Sequence, residues 1–131
     1  MTELDDFARD LLSVAPTVVD LLTEWDDGLS PDPEMPTVWM GYAGRAVAKS
    51  LDRLSPEQQR GAFEVIERYL ANGSELTKTC VTTGLLEAVA NEVSGGRLDG
   101  PHLATLLGPE SRAYIDAWDQ FTLGRSSLDP S

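Results

Sequence analysis

Residues that open and close helices recur at short intervals along this chain, and they limit it to a succession of short helices. Ser55-Pro56-Glu57-Gln58 is the fullest of these signals. Ser55 can cap with its hydroxyl, Pro56 suits a first turn whose N–H would go unpaired anyway, and Gln58 can close the capping box. Thr2 with Asp5 repeats the pattern near the start, and Ser74 can cap a further helix. Pro16, Pro101 and Pro109 each stand where a first turn would begin. Asn72-Gly73 and Gly95-Gly96 end what precedes them, the former by supplying left-handed backbone conformations.

Apolar residues between these breaks recur at helical spacing. Leu4, Phe7, Leu11, Leu12 and Val14 mark a first helix, and Val18, Val19, Leu21, Leu22 and Trp25 a second. A third, capped by Thr37 and running to about Leu54, carries Gly41 and Gly44. Glycine costs a helix about 1 kcal/mol relative to alanine, so this pair implies close helix approach or an irregular opening turn. A fourth helix turns Phe63, Ile66, Tyr69 and Leu70 inward. The fifth, from about 75 to 93, is apolar on most sides through Leu76, Cys80, Val81, Leu85, Leu86 and Val89, which predicts a course through the middle of the domain. In the last, Tyr114, Ile115, Trp118 and either Phe121 or Leu123 should face in. No segment alternates as a strand would. A length of 131 residues suits one domain. The expected fold is all-α, a compact single-domain bundle of about six or seven short helices over 1–124, followed by a flexible C-terminal tail over 125–131.

Charge is the second constraint. The first 36 residues hold ten carboxylates against Arg9 alone, a net of −9 out of −12 for the chain. Such a field steers basic partners and repels nucleic acid and anionic membrane. No apolar run approaches the length of a membrane span, and the acidic start lacks the pattern of a signal peptide. A single cysteine fits a reducing cytoplasm. Asp26 and Asp27 fall near the end of the second helix, where negative charge opposes the macrodipole. That placement favours a role for them outside folding. The segment Gly28–Pro36 (GLSPDPEMP) is stiffened by Pro31, Pro33 and Pro36, with Leu29 and Met35 available to pin it to the core. It reads either as an interaction loop or as a rigid connector.

Catalytic chemistry is hard to find. His102 is the only histidine and has no companion ligand, so it reads as a surface or packing contact. Cys80 lies on the apolar side of its helix and reads as a buried, inert thiol. Glu87 and Glu92 sit on a mostly apolar helix and should pair with Arg45, Arg53, Arg68 or Arg112. Asp26, Asp27, Asp32 and Glu34 lack the spacing and closing Glu of a calcium loop. No phosphate loop, nucleophile elbow or zinc motif occurs, so no enzyme activity, metal or cofactor is expected.

The stretches SPEQQRGAFEVIERYLANG, VTTGLLEAVANEV and LATLLGPESRAYIDAWDQF bring a resemblance into view. They resemble a family of small bacterial helical proteins, among them immunity-type proteins of toxin systems. The carriers are Gly84-Leu85-Leu86-Glu87 and Leu107-Gly108-Pro109-Glu110-Ser111-Arg112. These specify helix ends and core, and the resemblance brings no catalytic residues with it.

Together these readings point to an acidic cytoplasmic protein that binds a basic protein partner. The most concrete form is an immunity protein that neutralises a cognate bacterial toxin by blocking its active or substrate-binding surface. Asp20, Glu24, Asp26, Asp27, Asp32 and Glu34 would steer the partner, and Trp25, Trp39 and Tyr42 would anchor it. The alternative is a helical adaptor or regulatory subunit, able to form a homodimer, whose acidity serves solubility. It would present an exposed apolar patch on the Gly- and Ala-rich third helix.

Overall fold

The computed structural model describes residues 2–129 and contains seven helices and no strand among them. They are α1 (Glu3–Val14), α2 (Pro16–Glu24), α3 (Pro36–Ser50), α4 (Pro56–Asn72), α5 over 75–94, α6 (Gly100–Ala104) and α7 (Pro109–Thr122). A 3-10 turn, Leu51–Arg53, extends α3. The middle of α5, Val81–Leu86, is π-helical, between α-helical Glu75–Cys80 and Glu87–Ser94.

The capping signals act as their chemistry dictates. Thr2 and Ser55 form reciprocal capping boxes with Asp5 and Gln58, and the Ser74 hydroxyl accepts from the Thr77 amide. Two boundaries differ from expectation. α3 begins at Pro36 after Met35, because the proline ring already holds a helical φ; Thr37 is inside the helix. Gly73 ends α4 in extended backbone (φ −74°), where a left-handed residue was expected. A Cβ there would come within 2.5 Å of the Tyr69 carbonyl oxygen, so close approach rather than handedness calls for glycine.

α5 runs through the centre, packing against α3, α4 and α7. Val81, Leu85, Leu86 and Val89 are fully buried, while Leu76, expected inside, is 61% exposed on the first turn. The α3–α5 crossing is a backbone-to-backbone contact. A Cβ on Gly44 would overlap the Leu85 carbonyl, and one on Gly84 would overlap Met40 and the Thr37 carbonyl. Thr82 and Thr83 bond back to the carbonyls of Lys78 (2.8 Å) and Thr79 (2.7 Å), drawing on acceptors that the regular ladder would use at the π segment.

α1 packs on α4 through Phe7 and Tyr69, whose rings meet edge-on at 5.2 Å. The Tyr69 hydroxyl donates to Asp10 at 2.6 Å, and Arg68 reaches the same oxygen at 3.1 Å. That phenol hydrogen bond, helped by Arg9 and Arg68, holds the Asp10 carboxyl below the usual range. α7 is capped from α4: Glu67 accepts the amides of Glu110 (2.8 Å) and Ser111 (3.0 Å) and the Ser111 hydroxyl (2.9 Å). Gln59 donates to the Leu51 and Leu54 carbonyls at the end of the α3 extension.

Several expected partners are replaced. Glu92 pairs with Arg97 at 2.8 Å, and Glu87 accepts the Tyr114 hydroxyl at 2.6 Å. Burial, then that carboxylate, pushes the Tyr114 phenol up to about 12, so it remains a donor. Phe121 (85% exposed) and Leu123 both point outward. Residues 125–129, expected to be a flexible tail, are docked. Ser127 donates to buried Asp119 from its amide (2.8 Å) and hydroxyl (2.6 Å), Leu128 is buried, and Asp129 pairs with Arg112. Residues 130 and 131 of that tail lie outside the described residues.

The glycine crossing yields a contrast between two substitutions. Gly84→Ala should destabilise by about 2–3 kcal/mol, because backbone atoms cannot move aside. Gly41→Ala on α3 meets nothing within 4 Å and should stabilise by about 0.5–1 kcal/mol. Urea unfolding of both variants decides it. The Asp10 interaction makes a separate prediction. A lowered carboxyl pKa contributes stability above the unfolded value and loses it as pH falls through the folded one. Asp10→Asn should therefore lower the melting temperature at neutral pH. It should also flatten the loss of stability below about pH 4, measured by melts across the acid range.

Candidate functional site

The C-terminus of α2 sets up the candidate site. The amide of Asp27 bonds to the Leu22 carbonyl (3.0 Å) and that of Asp26 to Thr23 (3.1 Å). This is a Schellman closure, and it puts Asp26 in the left-handed region at φ 59°. Asp26 is the only described non-glycine residue with positive φ. Glycine is the usual occupant of such a position, and an acid there also faces the negative end of the helix dipole.

The loop then folds back over α3. Gly28 takes φ 73°, and its carbonyl receives the Trp39 indole N–H at 3.2 Å. Pro31 is buried, and Asp32 accepts the Glu34 amide at 2.9 Å, closing a short turn. Leu29 and Met35, expected to pin the loop, are 48% and 58% exposed. Trp39 and Pro31 hold the loop instead.

Between this loop and the first turns of α3 lies an open groove of about 370 Å³. Met35, Val38 and Tyr42 form its apolar side at helical spacing, all three exposed. Trp39 and Pro31, both buried, form the base, and Asp27 and Asp32 complete the charged part of the lining. Among the described residues, no ion pair involves Asp20, Glu24, Asp26, Asp27, Asp32 or Glu34. The arrangement offers apolar contact area beside carboxylates whose charge the fold leaves uncompensated. Among the described residues, no group of three or more His, Cys, Asp or Glu side chains is placed to hold a metal ion.

Of the nine residues expected to form a site, the structure brings Asp27, Asp32, Trp39 and Tyr42 into this groove. Trp39 is buried and supports the groove as its base. Trp25 is half-buried elsewhere, with the Arg45 guanidinium 5.7 Å from its ring centroid. Asp20, Glu24, Asp26 and Glu34 are exposed outside the groove lining. Val38 and the exposed role of Met35 were missed. Their signal was present: α3 has a second apolar row, Met35-Val38-Tyr42, beside its buried row of Trp39, Met40, Ala43 and Val47.

A second concavity lies farther along α3. Ala48, Leu51 and Leu98 wall a pocket of about 450 Å³ that also takes in Lys49, Arg97 and His102 and the carboxylates Asp52, Glu92 and Asp99. An adjoining hollow of about 490 Å³ shares Lys49 and Arg97 with it and adds Arg45. His102 is exposed, with Nε2 3.0 Å from Gln59 Oε1. The Gln59 amide nitrogen serves two carbonyls, so the histidine tautomer consistent with this contact carries its proton on Nε2. Cys80 is buried, 3.7 Å from the Thr37 hydroxyl.

Fold and groove define a small all-α protein whose surface includes an acidic, partly apolar cleft. No helix among the described residues is long and apolar enough to cross a membrane. The chain belongs to the family described as Domain of unknown function (DUF7674), which matches residues 8–123. Nothing in that match links the family to immunity proteins or toxin systems. No curated protein and no solved structure matches the chain.

The strained position next to the groove gives a direct test. Asp26→Gly should raise stability by about 1 kcal/mol, or about 4 °C in melting temperature, by relieving both the left-handed conformation and the dipole clash. Calorimetry of the single variant measures it. A melting temperature that falls would mean the aspartate makes a stabilising contact that offsets its strain.

Proposed function

We propose that this chain is a non-enzymatic protein that captures a basic protein partner on the groove between the 27–35 segment and α3. The observation that carries this reading is the row Met35, Val38 and Tyr42, exposed beside Asp27 and Asp32. Exposed apolar side chains in a row supply desolvation energy on binding, while unpaired carboxylates supply orientation and rate of encounter. The concentration of charge in the first 36 residues supports the same reading, since six of its ten carboxylates, Asp20, Glu24, Asp26, Asp27, Asp32 and Glu34, lie on α2 and the segment that builds the groove. In its most concrete form the protein is a cytoplasmic immunity protein that covers the active or substrate-binding surface of a cognate toxin.

A second reading draws on the same apolar row. A helical adaptor or self-associating subunit would use Val38 and Tyr42, or Phe121 on α7, with acidity serving solubility. Salt separates the two, because capture of a basic partner weakens with ionic strength and apolar self-association does not.

The test is retention of partners by the tagged chain from lysate of its own cells at low and high salt, followed by kinetics with the retained protein. Charge reversal of Asp26, Asp27, Asp32 and Glu34 should lower the association rate by about tenfold or more. Tyr42→Ala should raise the dissociation rate, by about thirtyfold if it costs the ~2 kcal/mol of a hot spot. Kinetics unchanged by both sets would remove the groove as the binding site. Salt-insensitive retention of the chain by itself would favour the adaptor.

A further inference from the structure

Acids outnumber bases 22 to 10 in this chain, yet Arg45 and Lys49 make no ion pair among the described residues. They are one helical turn apart on α3 and line the same hollow. Arg97 joins them from the segment after α5, and its position is built rather than incidental. Its Nε donates to Glu92, a carboxylate with only 7% of its residue surface exposed, at 2.8 Å. The rest of the guanidinium lies over Gly95, where a Cβ would come within 2.5–2.7 Å of its terminal atoms. Glu92 neutralises one positive charge and, with the Asn91 carbonyl 3.4 Å from Nη2, fixes the arginine; Arg45 lies over the Trp25 ring, and neither it nor Lys49 has a carboxylate partner among the described residues. In the adjoining pocket, Ala48 and Leu51 are buried and Leu98 is half-buried, giving an apolar wall; the exposed carboxylates Asp52 and Asp99 also line that pocket but not the hollow of Arg45, Lys49 and Arg97, so the cationic excess is confined to the latter. Each of the two hollows falls in the size range of small-molecule sites.

We propose that this groove is a binding site for a small molecule carrying a carboxylate or phosphate on a short apolar body. The anionic group sits among Arg45, Lys49 and Arg97, and the body lies along Ala48, Leu51 and Leu98. The long-range field of a chain at −12 opposes anions, so the site depends on contacts made within a Debye length, about 8 Å at physiological salt. Fixed guanidinium geometry suits that requirement, because Arg97 loses little freedom when an oxyanion arrives. The inference is independent of partner capture at the acidic groove and uses different residues.

The experiment is a heteronuclear NMR titration of the full chain with phenyl phosphate, hexanoate, inorganic phosphate and, as the opposite charge, hexylamine. Saturable shifts of amides within 45–52 and 91–99 are expected with phenyl phosphate, hexanoate or both; which of them binds tells phosphate from carboxylate. Inorganic phosphate should bind about tenfold more weakly for want of the apolar wall. Lys49→Glu, and independently Arg45→Gln, should each weaken binding by about tenfold while leaving the remaining spectrum native. Equal binding of hexylamine, shifts that never saturate with either organic anion, or undiminished binding by both variants would overturn the proposal.

Discussion

The contact on which the structure depends is the crossing of α3 and α5 at Gly44 and Gly84. Each glycine faces backbone of the other helix, so the two axes approach as closely as the chain permits. The consequence spreads in both directions. Along α5 it coincides with a π-helical segment whose side chains Val81, Leu85 and Leu86 are completely buried. Along α3 it locks one face, Met40, Ala43, Gly44 and Val47, against the centre of the domain. A helix with one face fixed has its other faces fixed as well. Met35, Val38 and Tyr42 are thereby presented on one side, and Arg45 and Lys49 are brought to a separate hollow. Both surface features inherit their geometry from a buried contact between two residues without side chains.

The carboxylates fall into two populations that composition alone cannot separate. Glu67 caps a helix from another helix, Asp119 holds the C-terminal segment, and Asp10 gathers Tyr69 and Arg68. Glu3 accepts the Ser74 amide at 2.8 Å, and hydrogen bonds from Thr77 and Ser74 hold its carboxyl below the usual range. These acids tie distant parts of the chain together. The acids from Asp20 to Glu34 do no comparable work: none makes an ion pair among the described residues, and Asp32 bonds only within its own turn. Their placement also includes the one left-handed non-glycine residue described. Charge that the fold neither neutralises nor uses, set at a strained helix end, fits selection for something outside the fold.

The legible parts of the sequence were those whose physics is local. Capping by Thr2, Ser55 and Ser74 and helix entry at Pro16, Pro101 and Pro109 act within a few residues, and each is found where its spacing put it. The central course of α5 followed from its apolar circumference. What escaped were interactions between segments far apart in sequence, such as Glu67 with Ser111 and Asp119 with Ser127 across a helix end. A carboxylate that caps from afar looks like any other exposed acid until the elements are assembled. The inward stripe also failed at its ends: Leu76 keeps phase with buried Cys80 but stands exposed on the first turn of α5, while Phe121 lies roughly a third of a turn around α7 from its buried row of Ser111, Ile115 and Asp119. The groove was half visible. The acidic loop between Trp25 and Trp39 drew notice, but which tryptophan lies under the loop and which apolar row lies outside depends on the rotation of α3, which Gly44 sets.

The groove is also cheap to occupy in conformational terms. Three prolines limit the backbone of the 28–36 segment, the Trp39 indole ties it at Gly28, and Pro31 is buried beneath it. A loop held this way loses little freedom when a partner arrives, so more of the contact energy of Met35, Val38 and Tyr42 appears as affinity. The stiffness has a cost in the free protein, because it holds apolar side chains in water. Neighbouring carboxylates offset part of that liability by keeping the patch hydrated and repelling other copies of the same acidic chain. The same charges that would attract a basic partner therefore also oppose self-association through the groove. Exposed apolar residues and unpaired acids are each unfavourable alone, and their juxtaposition keeps an apolar surface hydrated and open, as the proposed capture of a complementary positive surface requires.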